Sequence, residues 1–81
     1  MYYAYVLQSL KQTSYYYKGH CEDLDKRLSQ HNAGMTLSIK TKTPFKLVYS
    51  ESFEKLEDAI GREKYFKTAA GRRFLKSKLI P

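Results

Sequence analysis

Cysteine, tryptophan and long apolar runs are scarce or missing in this chain of 81 residues. Cys21 is the one cysteine, and tryptophan is absent. A single cysteine excludes an intrachain disulfide and a multi-cysteine zinc site, and it indicates a reducing, cytoplasmic setting. No run approaches the roughly 20 apolar residues of a membrane helix. The residues after Met1 do not resemble a secretory signal, so we expect neither export nor a membrane partner.

Acidic residues are also few. Eight Asp and Glu stand against 15 Lys and Arg, which leaves a formal net charge of +7. A small basic domain favours a polyanionic partner such as nucleic acid, because neutralised phosphates release their counterions. The same charge is compatible with a surface that is merely well solvated. The apolar fraction of 42% suits a globular protein, and the length suits a single domain over residues 1–81.

Three segments have the pattern of strands. Tyr2–Leu10 is apolar on both of its faces, which is typical of a strand covered on both sides. Ser14–His20 is the second strand, and the short connection predicts an antiparallel pair. Phe45–Phe53 is the third, and we expect one of its faces to carry Leu47, Tyr49, Glu51 and Phe53.

Helical signals alternate with these strands. Asp23 is a suitable N-cap for a helix that ends near His31 or Asn32, and Gly34 follows where a terminating glycine is expected. Residues 35–44 are polar and are expected to form a loop. From residue 56 onward the period is helical, with an apolar stripe made of Leu56, Ala59, Ile60, Phe66 and Ala70.

Gly71 is expected to break that second helix, and residues 72–80 to form a last short helix or tail. The predicted fold is therefore α+β: a small three-stranded antiparallel sheet flanked by helices, in the order β-β-α-β-α-α.

Two charged residues on apolar helix faces are candidates for chemistry. Glu63 lies on the stripe, where a carboxylate needs a partner. A salt bridge to a lysine or arginine across the interface is the commoner explanation, and a Mg²⁺ ligand is the functional one. Arg27 shares its helix face with His31. Its guanidinium could bind a phosphate, or its stem could simply cover apolar surface.

The tyrosines are individually weak signals, because the chain has eight of them. Tyr5 and Tyr17 fall on neighbouring strands, where cross-strand aromatic packing is common. As phenols they could also orient or activate a water molecule. Gly19 marks either a bulge or a place where a ligand approaches the strand closely.

Taken in order, these residues resemble the GIY-YIG nuclease superfamily over nearly the whole chain. The two motif triplets correspond to Tyr3-Ala4-Tyr5 and Tyr17-Lys18-Gly19. The helix with Arg27 and His31 and the later helix with Glu63 follow in the expected order. The chain departs from the motif at Tyr3, Ala4 and Lys18, and His20 stands where many members have lysine or threonine.

The resemblance implies an endonuclease that hydrolyses phosphodiester bonds with Mg²⁺ or Mn²⁺, acting on nucleic acid in DNA repair or recombination. DNA is favoured over RNA, and a homodimer is one option because a single small site makes one cut. The implied catalytic residues are Tyr5, Tyr17, Arg27, His31 and Glu63, with Glu63 holding the metal. Candidate substrate-binding residues are Gly19, His20, Lys40, Lys42, Arg72 and Arg73. Two alternatives stay open: a non-catalytic nucleic-acid-binding module with the same fold, and a small interaction protein.

Overall fold

The chain folds into a three-stranded sheet that lies between two groups of helices. The structure is a computed structural model that describes residues 1–79. In chain order the elements are β1 (Tyr2–Ser9), β2 (Tyr16–Cys21), α1 (Leu24–Asn32), a 3₁₀ helix (Leu37–Lys42), β3 (Phe45–Phe53), α2 (Leu56–Phe66) and α3 (Ala69–Leu79). The strand order is β2-β1-β3, and both pairs are antiparallel. The predicted α+β fold is confirmed; Ile80, at the end of the predicted tail, lies outside the described residues.

No helix within residues 1–79 combines the length and the apolar character needed to cross a membrane.

The central strand β1 is buried on both faces, as its sequence predicts. Tyr5 and Leu7 belong to one apolar cluster, which is completed by Cys21, Ile39 and Phe45 and covered by α1. Ala4 and Val6 belong to a second cluster on the opposite face, with Phe66 of α2 and Leu75 of α3. Each face of this one strand therefore serves as the base of a separate core.

The third strand has the predicted bounds, and Tyr49, Glu51 and Phe53 share a face as predicted, but Leu47 does not lie on it. Leu47 pairs with Leu7, whereas Tyr49 pairs with Val6, so Val48 is an extra residue that shifts the register. This bulge reverses the alternation of side chains, because one inserted residue moves all that follow to the other face. Leu47 consequently does not share a face with Tyr49, and its side chain remains exposed.

Both ends of α1 follow the capping signals of the sequence. The Asp23 carboxylate accepts a hydrogen bond from the Lys26 backbone N–H at 3.0 Å. At the other end Gly34 has a φ of 79°. Its N–H donates to the His31 carbonyl, and the Met35 N–H donates to the Gln30 carbonyl, which together form a Schellman motif. These caps determine where along the sheet α1 begins and ends.

The segment expected to be a polar loop contains the 3₁₀ helix. Ile39 lies in the middle of this helix and is only 2% exposed, packed into the cluster beneath α1. Its neighbour Leu37 is by contrast highly exposed. The prediction of an irregular loop was wrong because one buried side chain anchors the segment to the core.

The boundary between the last two helices also differs from the prediction. α2 ends at Phe66, and Gly71 lies inside α3 rather than at a break. The Thr68 hydroxyl caps α3 by accepting a hydrogen bond from the Gly71 N–H at 3.0 Å. Of the predicted stripe, Ala59 and Phe66 are fully buried and Ile60 is half-buried. Leu56 and Ala70 are exposed, and Ala70 belongs to α3.

Gly71 and Gly61 make a matched pair of helical glycines for a stability measurement. A Cβ at Gly71 would overlap the backbone carbonyl of Tyr65, which cannot move aside easily, whereas a Cβ at Gly61 meets nothing within 4 Å. We expect Gly71→Ala to lower the free energy of unfolding by about 1–3 kcal/mol or more. We expect Gly61→Ala to raise it by about 0.5–1 kcal/mol. Urea unfolding followed by circular dichroism measures both, and equal stabilities would contradict this account of α3 packing.

Candidate active site

The candidate residues gather around β2, which is an edge strand of the sheet. Tyr17 and Gly19 point to the face covered by α1, while Lys18 and His20 point to the face covered by α2 and α3. Side chains from both helical layers can therefore meet at this one edge. Tyr5 comes from the adjacent position on β1, directly opposite Gly19.

Gly19 leaves room for the ring of Tyr5. A Cβ built on Gly19 would lie 2.5 Å from the Tyr5 hydroxyl oxygen and 2.6 Å from the ring carbon that bears it. The space expected to admit a ligand at this glycine is thus filled by a neighbouring side chain. Any larger residue at position 19 would displace the Tyr5 ring.

A short chain of hydrogen bonds connects β1 to α1 beneath this edge. The Tyr5 hydroxyl lies 2.9 Å from His31 Nε2, and the Thr36 hydroxyl lies 2.8 Å from His31 Nδ1. His31 is 1% exposed, and the edge of its ring meets the Tyr17 ring at a centroid distance of 5.0 Å. Both ring nitrogens of His31 are engaged, so the imidazole has a single orientation.

Burial sets the protonation states of the hydrogen-bonded pair Tyr5 and His31. It raises the pKa of Tyr5 far above its usual value, and the neighbouring Tyr17 adds to that shift. Burial, together with the positive charge of Arg27, lowers the pKa of His31. Near neutral pH, Tyr5 is therefore a phenol and His31 is a neutral imidazole. Neither group carries a charge into the core.

Arg27 is half-buried on α1 and opens onto a cleft of about 550 Å³. His20, Lys26 and Gln30 also line this cleft, together with the carboxylates of Glu22 and Asp23. Within residues 1–79 the Arg27 guanidinium has neither an ion-pair partner nor a side-chain hydrogen bond. Its donors are free to bind a group that enters the cleft.

Glu63 of α2 is held by two partners. Its Oε1 lies 2.7 Å from His20 Nδ1, and its Oε2 accepts a hydrogen bond of 2.8 Å from Lys67 Nζ. The side chain is 18% exposed. Burial opposes ionisation, but the hydrogen bonds from Lys67 and His20 outweigh it, so the pKa of Glu63 is lowered. Glu63 does form a salt bridge, but within residues 1–79 its partner is Lys67, the C-cap residue of α2, rather than a lysine or arginine across the interface.

The site offers a metal ion one carboxylate. Within residues 1–79 no three His, Cys, Asp or Glu side chains form a group that could hold a metal ion. Glu63 alone fits a Mg²⁺-type ion, which takes one or two carboxylates and completes its shell with water and phosphate oxygens. A closed site of the zinc type does not fit this donor set.

The four basic residues expected at the substrate lie in different places. Lys42 donates to Gln12 Oε1 at 2.6 Å and lies over the Tyr15 ring, so it fastens the β1–β2 connection at the far end of β2 from His20. The aliphatic stem of Lys40 lies over Gly34. Arg72 and Arg73 are exposed on α3. Only Arg72 lies close enough to β2 to influence Lys18.

Two features of the site were missed at the level of sequence. Thr36 completes the hydrogen bonding of His31, and its place five residues further along the chain gave no signal. Arg62 forms a two-pronged ion pair with Glu51, at 2.8 and 3.2 Å, and lies over the rings of Tyr65 and Phe74. This second pair joins α2 to β3 and has a structural role.

Comparison with known proteins gives a consistent result. The GIY-YIG catalytic domain family matches residues 1–76. A UPF0213 protein of Lactococcus lactis subsp. cremoris strain SK11 is 42% identical over 66 residues, which cover 80% of this chain and 65% of that protein. The UPF0213 protein YsiG of L. lactis subsp. lactis strain IL1403 is 40% identical over 67 residues, 82% of this chain and 62% of that protein.

A third relative, the UPF0213 protein in the ldhD 5′ region of Pediococcus acidilactici, is 35% identical over 78 residues, 93% of this chain and 78% of that protein. The chain thus spans less than two thirds of the length of the two Lactococcus relatives. The names of all three describe no activity.

The buried neutral His31 predicts a specific pH dependence of stability. An unfolded histidine, with a pKa of about 6.5, binds a proton that folded His31 resists, so the unfolded state gains protons first. The contribution of neutral His31 to the free energy of unfolding is complete above about pH 6.5. It is lost as the pH falls from there through the lowered pKa of folded His31. We expect His31→Gln to be less stable near neutral pH, yet to lose less stability between about pH 6.5 and 5.

Urea unfolding at several pH values measures this difference. His20 is present in both proteins, so it does not contribute to the difference between them. An unchanged pH dependence in His31→Gln would contradict the assignment of a neutral, buried imidazole.

Proposed function

The chain belongs to the GIY-YIG family, and on that premise we propose that it is an endonuclease that hydrolyses phosphodiester bonds in DNA with Mg²⁺ or Mn²⁺. DNA repair or recombination is the proposed setting. The lone cysteine supports a reducing compartment such as the cytoplasm.

The observation that carries the proposal is an unpaired guanidinium in a cleft that is also lined by His20, whose ring contacts an ionised carboxylate. Arg27 opens onto the cleft without an ion-pair partner in residues 1–79, and His20 lines the same cleft while its ring contacts Glu63. A cation that is free to bind phosphate, connected through His20 to a carboxylate that can hold a metal ion, suits phosphodiester hydrolysis.

Each group has a distinct role in this proposal. Arg27 binds the phosphate and stabilises the negative charge that grows on its oxygens as the phosphorus–oxygen bond breaks. Glu63 holds the divalent ion, whose chemistry is to stabilise charge on the phosphate and the leaving oxygen. Lys67 and His20 then have to share or release the carboxylate oxygens that they contact.

The two tyrosines contribute differently. Tyr17 is half-exposed at the strand edge, so its hydroxyl can orient the attacking water. Tyr5 is 2% exposed, and its raised pKa makes it a poor base. Tyr5 and His31 are therefore positioning residues, which hold the Tyr17 ring and the strand edge in one arrangement.

The non-catalytic alternative draws on the same site. Both oxygens of Glu63 already have partners, so the carboxylate could serve only to join α2 to β2. A module of this kind would bind nucleic acid with strong salt dependence and show no metal-dependent turnover.

A cleavage assay separates these functions. Purified protein is incubated with duplex, nicked, flap and branched DNA in Mg²⁺, in Mn²⁺ or in EDTA. We expect cutting of at least one substrate with metal only. Arg27→Ala should lower the rate by about 100-fold or more, as expected for removal of a donor to developing negative charge.

Glu63→Gln keeps the size of the side chain and removes its charge. It should abolish cutting and weaken Mn²⁺ binding measured by titration calorimetry. The matched controls are Glu57→Gln, an exposed carboxylate on the same helix, and Lys46→Ala, an exposed cation on β3; both should retain the wild-type rate. Cutting that survives Arg27→Ala and Glu63→Gln would reject this site. Salt-sensitive binding without cutting would favour the non-catalytic module, and no binding at low salt would favour an interaction protein.

A further inference from the structure

A second basic surface lies on the other face of β2, between that strand and α3. Its apolar floor is a groove of about 220 Å³ formed by Val6, Tyr16, Leu75 and Leu79. Its rim carries Lys18 from β2 and Arg72 and Lys76 from α3. We call these residues the β2–α3 groove. Within residues 1–79 no carboxylate lines it.

The cations of the groove are not neutralised by neighbours. Within the described chain, Lys18 and Arg72 form no ion pair. Lys18 is half-buried, and burial, together with the charges of Arg72 and Lys67, lowers the pKa of its ammonium group. Bringing the three rim cations Lys18, Arg72 and Lys76 together costs free energy because like charges repel. An anion that binds between them would remove that repulsion. The arrangement is therefore complementary to phosphate groups.

One face of β2 runs from the groove to His20 at the candidate active site. Tyr16, Lys18 and His20 are alternate residues of β2 and lie on the same face of the strand. They span roughly 13 Å, four residues at about 3.3 Å each. Lys67 connects the two regions, because its ammonium group contacts Glu63 and its charge acts on Lys18.

The apolar floor of the groove fits an unpaired strand better than a duplex. A base pair inside a duplex keeps its faces stacked on its neighbours, so a duplex would place only phosphates and sugars on this surface. A strand with unstacked bases can lay one base or sugar on Tyr16 and the leucines while its phosphates meet the cations. Aromatic side chains in a basic groove are the usual means of binding single strands.

We propose that the β2–α3 groove binds an unpaired nucleic-acid strand that continues from the active-site cleft. Its phosphates lie on Lys18, Arg72 and Lys76, and one nucleotide lies against Tyr16. The inference rests on the proposed function, because it takes the strand that continues from the cleft to be the substrate.

Binding is measured in EDTA so that turnover does not enter. The probe is a fluorescein-labelled DNA single strand of about 20 nucleotides, longer than the roughly 4–16 nucleotides that a small domain covers. Fluorescence anisotropy gives the Kd at salt concentrations from about 50 to 200 mM. For Lys18→Gln with Arg72→Gln we expect a Kd about tenfold or more higher. The magnitude of the negative slope of log K against log salt should decrease by about 1.4. This is about 0.7 for each phosphate of a single strand that is no longer neutralised.

Two further proteins complete the experiment. Lys11→Gln with Lys46→Gln removes the same charge at exposed positions outside the groove and should keep the wild-type Kd and slope within about twofold. Tyr16→Leu keeps the apolar floor but removes the ring. It should raise the Kd several-fold while leaving the salt slope unchanged, because every cation that meets a phosphate is still present.

Thermal unfolding checks that the variants are folded, and removing Lys18 should not lower Tm because it relieves repulsion. The inference is overturned if the Lys18 and Arg72 double variant binds the probe like wild type, or if Tyr16→Leu does.

The outcome is separable from the proposed function. Groove-dependent binding without any cleavage would reject the nuclease and retain the groove. Cleavage by a protein whose binding does not depend on the groove would retain the nuclease and reject the groove.

Discussion

The buried hydroxyl of Tyr5 is the constraint on which the arrangement around β2 depends. A phenol inside a core needs a hydrogen-bond partner, and His31 is that partner. His31 is buried too and needs a second partner, which Thr36 supplies. The Tyr5 ring in turn requires a residue without a side chain at position 19. These contacts tie β1, β2, α1 and the approach to the 3₁₀ helix into one unit, so the geometry of the site and the integrity of the core share the same interactions.

The position of β2 at the edge of the sheet explains how two helical layers contribute to one site. Alternate residues of a strand face opposite sides, so Tyr17 contacts the layer of α1 while His20 contacts the layer of α2. In a central strand the sheet would separate these groups. At an edge they share one open border, and Arg27 and Glu63 approach it from opposite faces. Three of the 15 basic residues, Lys18, Lys67 and Arg72, lie close together near that border.

Much of the fold follows from local sequence signals. The alternation in β1, the N-cap at Asp23 and the glycine at position 34 report interactions within a few residues, and each has its expected place. The misplaced elements depend on distant contacts. Gly71 resembles a helix breaker until the backbone of Tyr65 is packed against it, and the bulge at Val48 is visible only when β1 and β3 are paired. For the same reason Lys67 could be anticipated as a partner of Glu63 from the i,i+4 spacing, whereas His20 could not.

Glu63 has a different meaning in the folded protein than in the sequence. From sequence alone, a carboxylate on an apolar stripe needs a partner, and a metal ion is one candidate. Two cationic or polar partners now account for it without a metal ion, so the burial of Glu63 no longer argues for one. Arg27 becomes the more informative residue, because it is half-buried and its guanidinium forms no ion pair within residues 1–79. A phosphate in the cleft would give this guanidinium a partner that it can bind with two hydrogen bonds. The expectation of a phosphodiester substrate therefore depends on Arg27 more than on any other residue of the site.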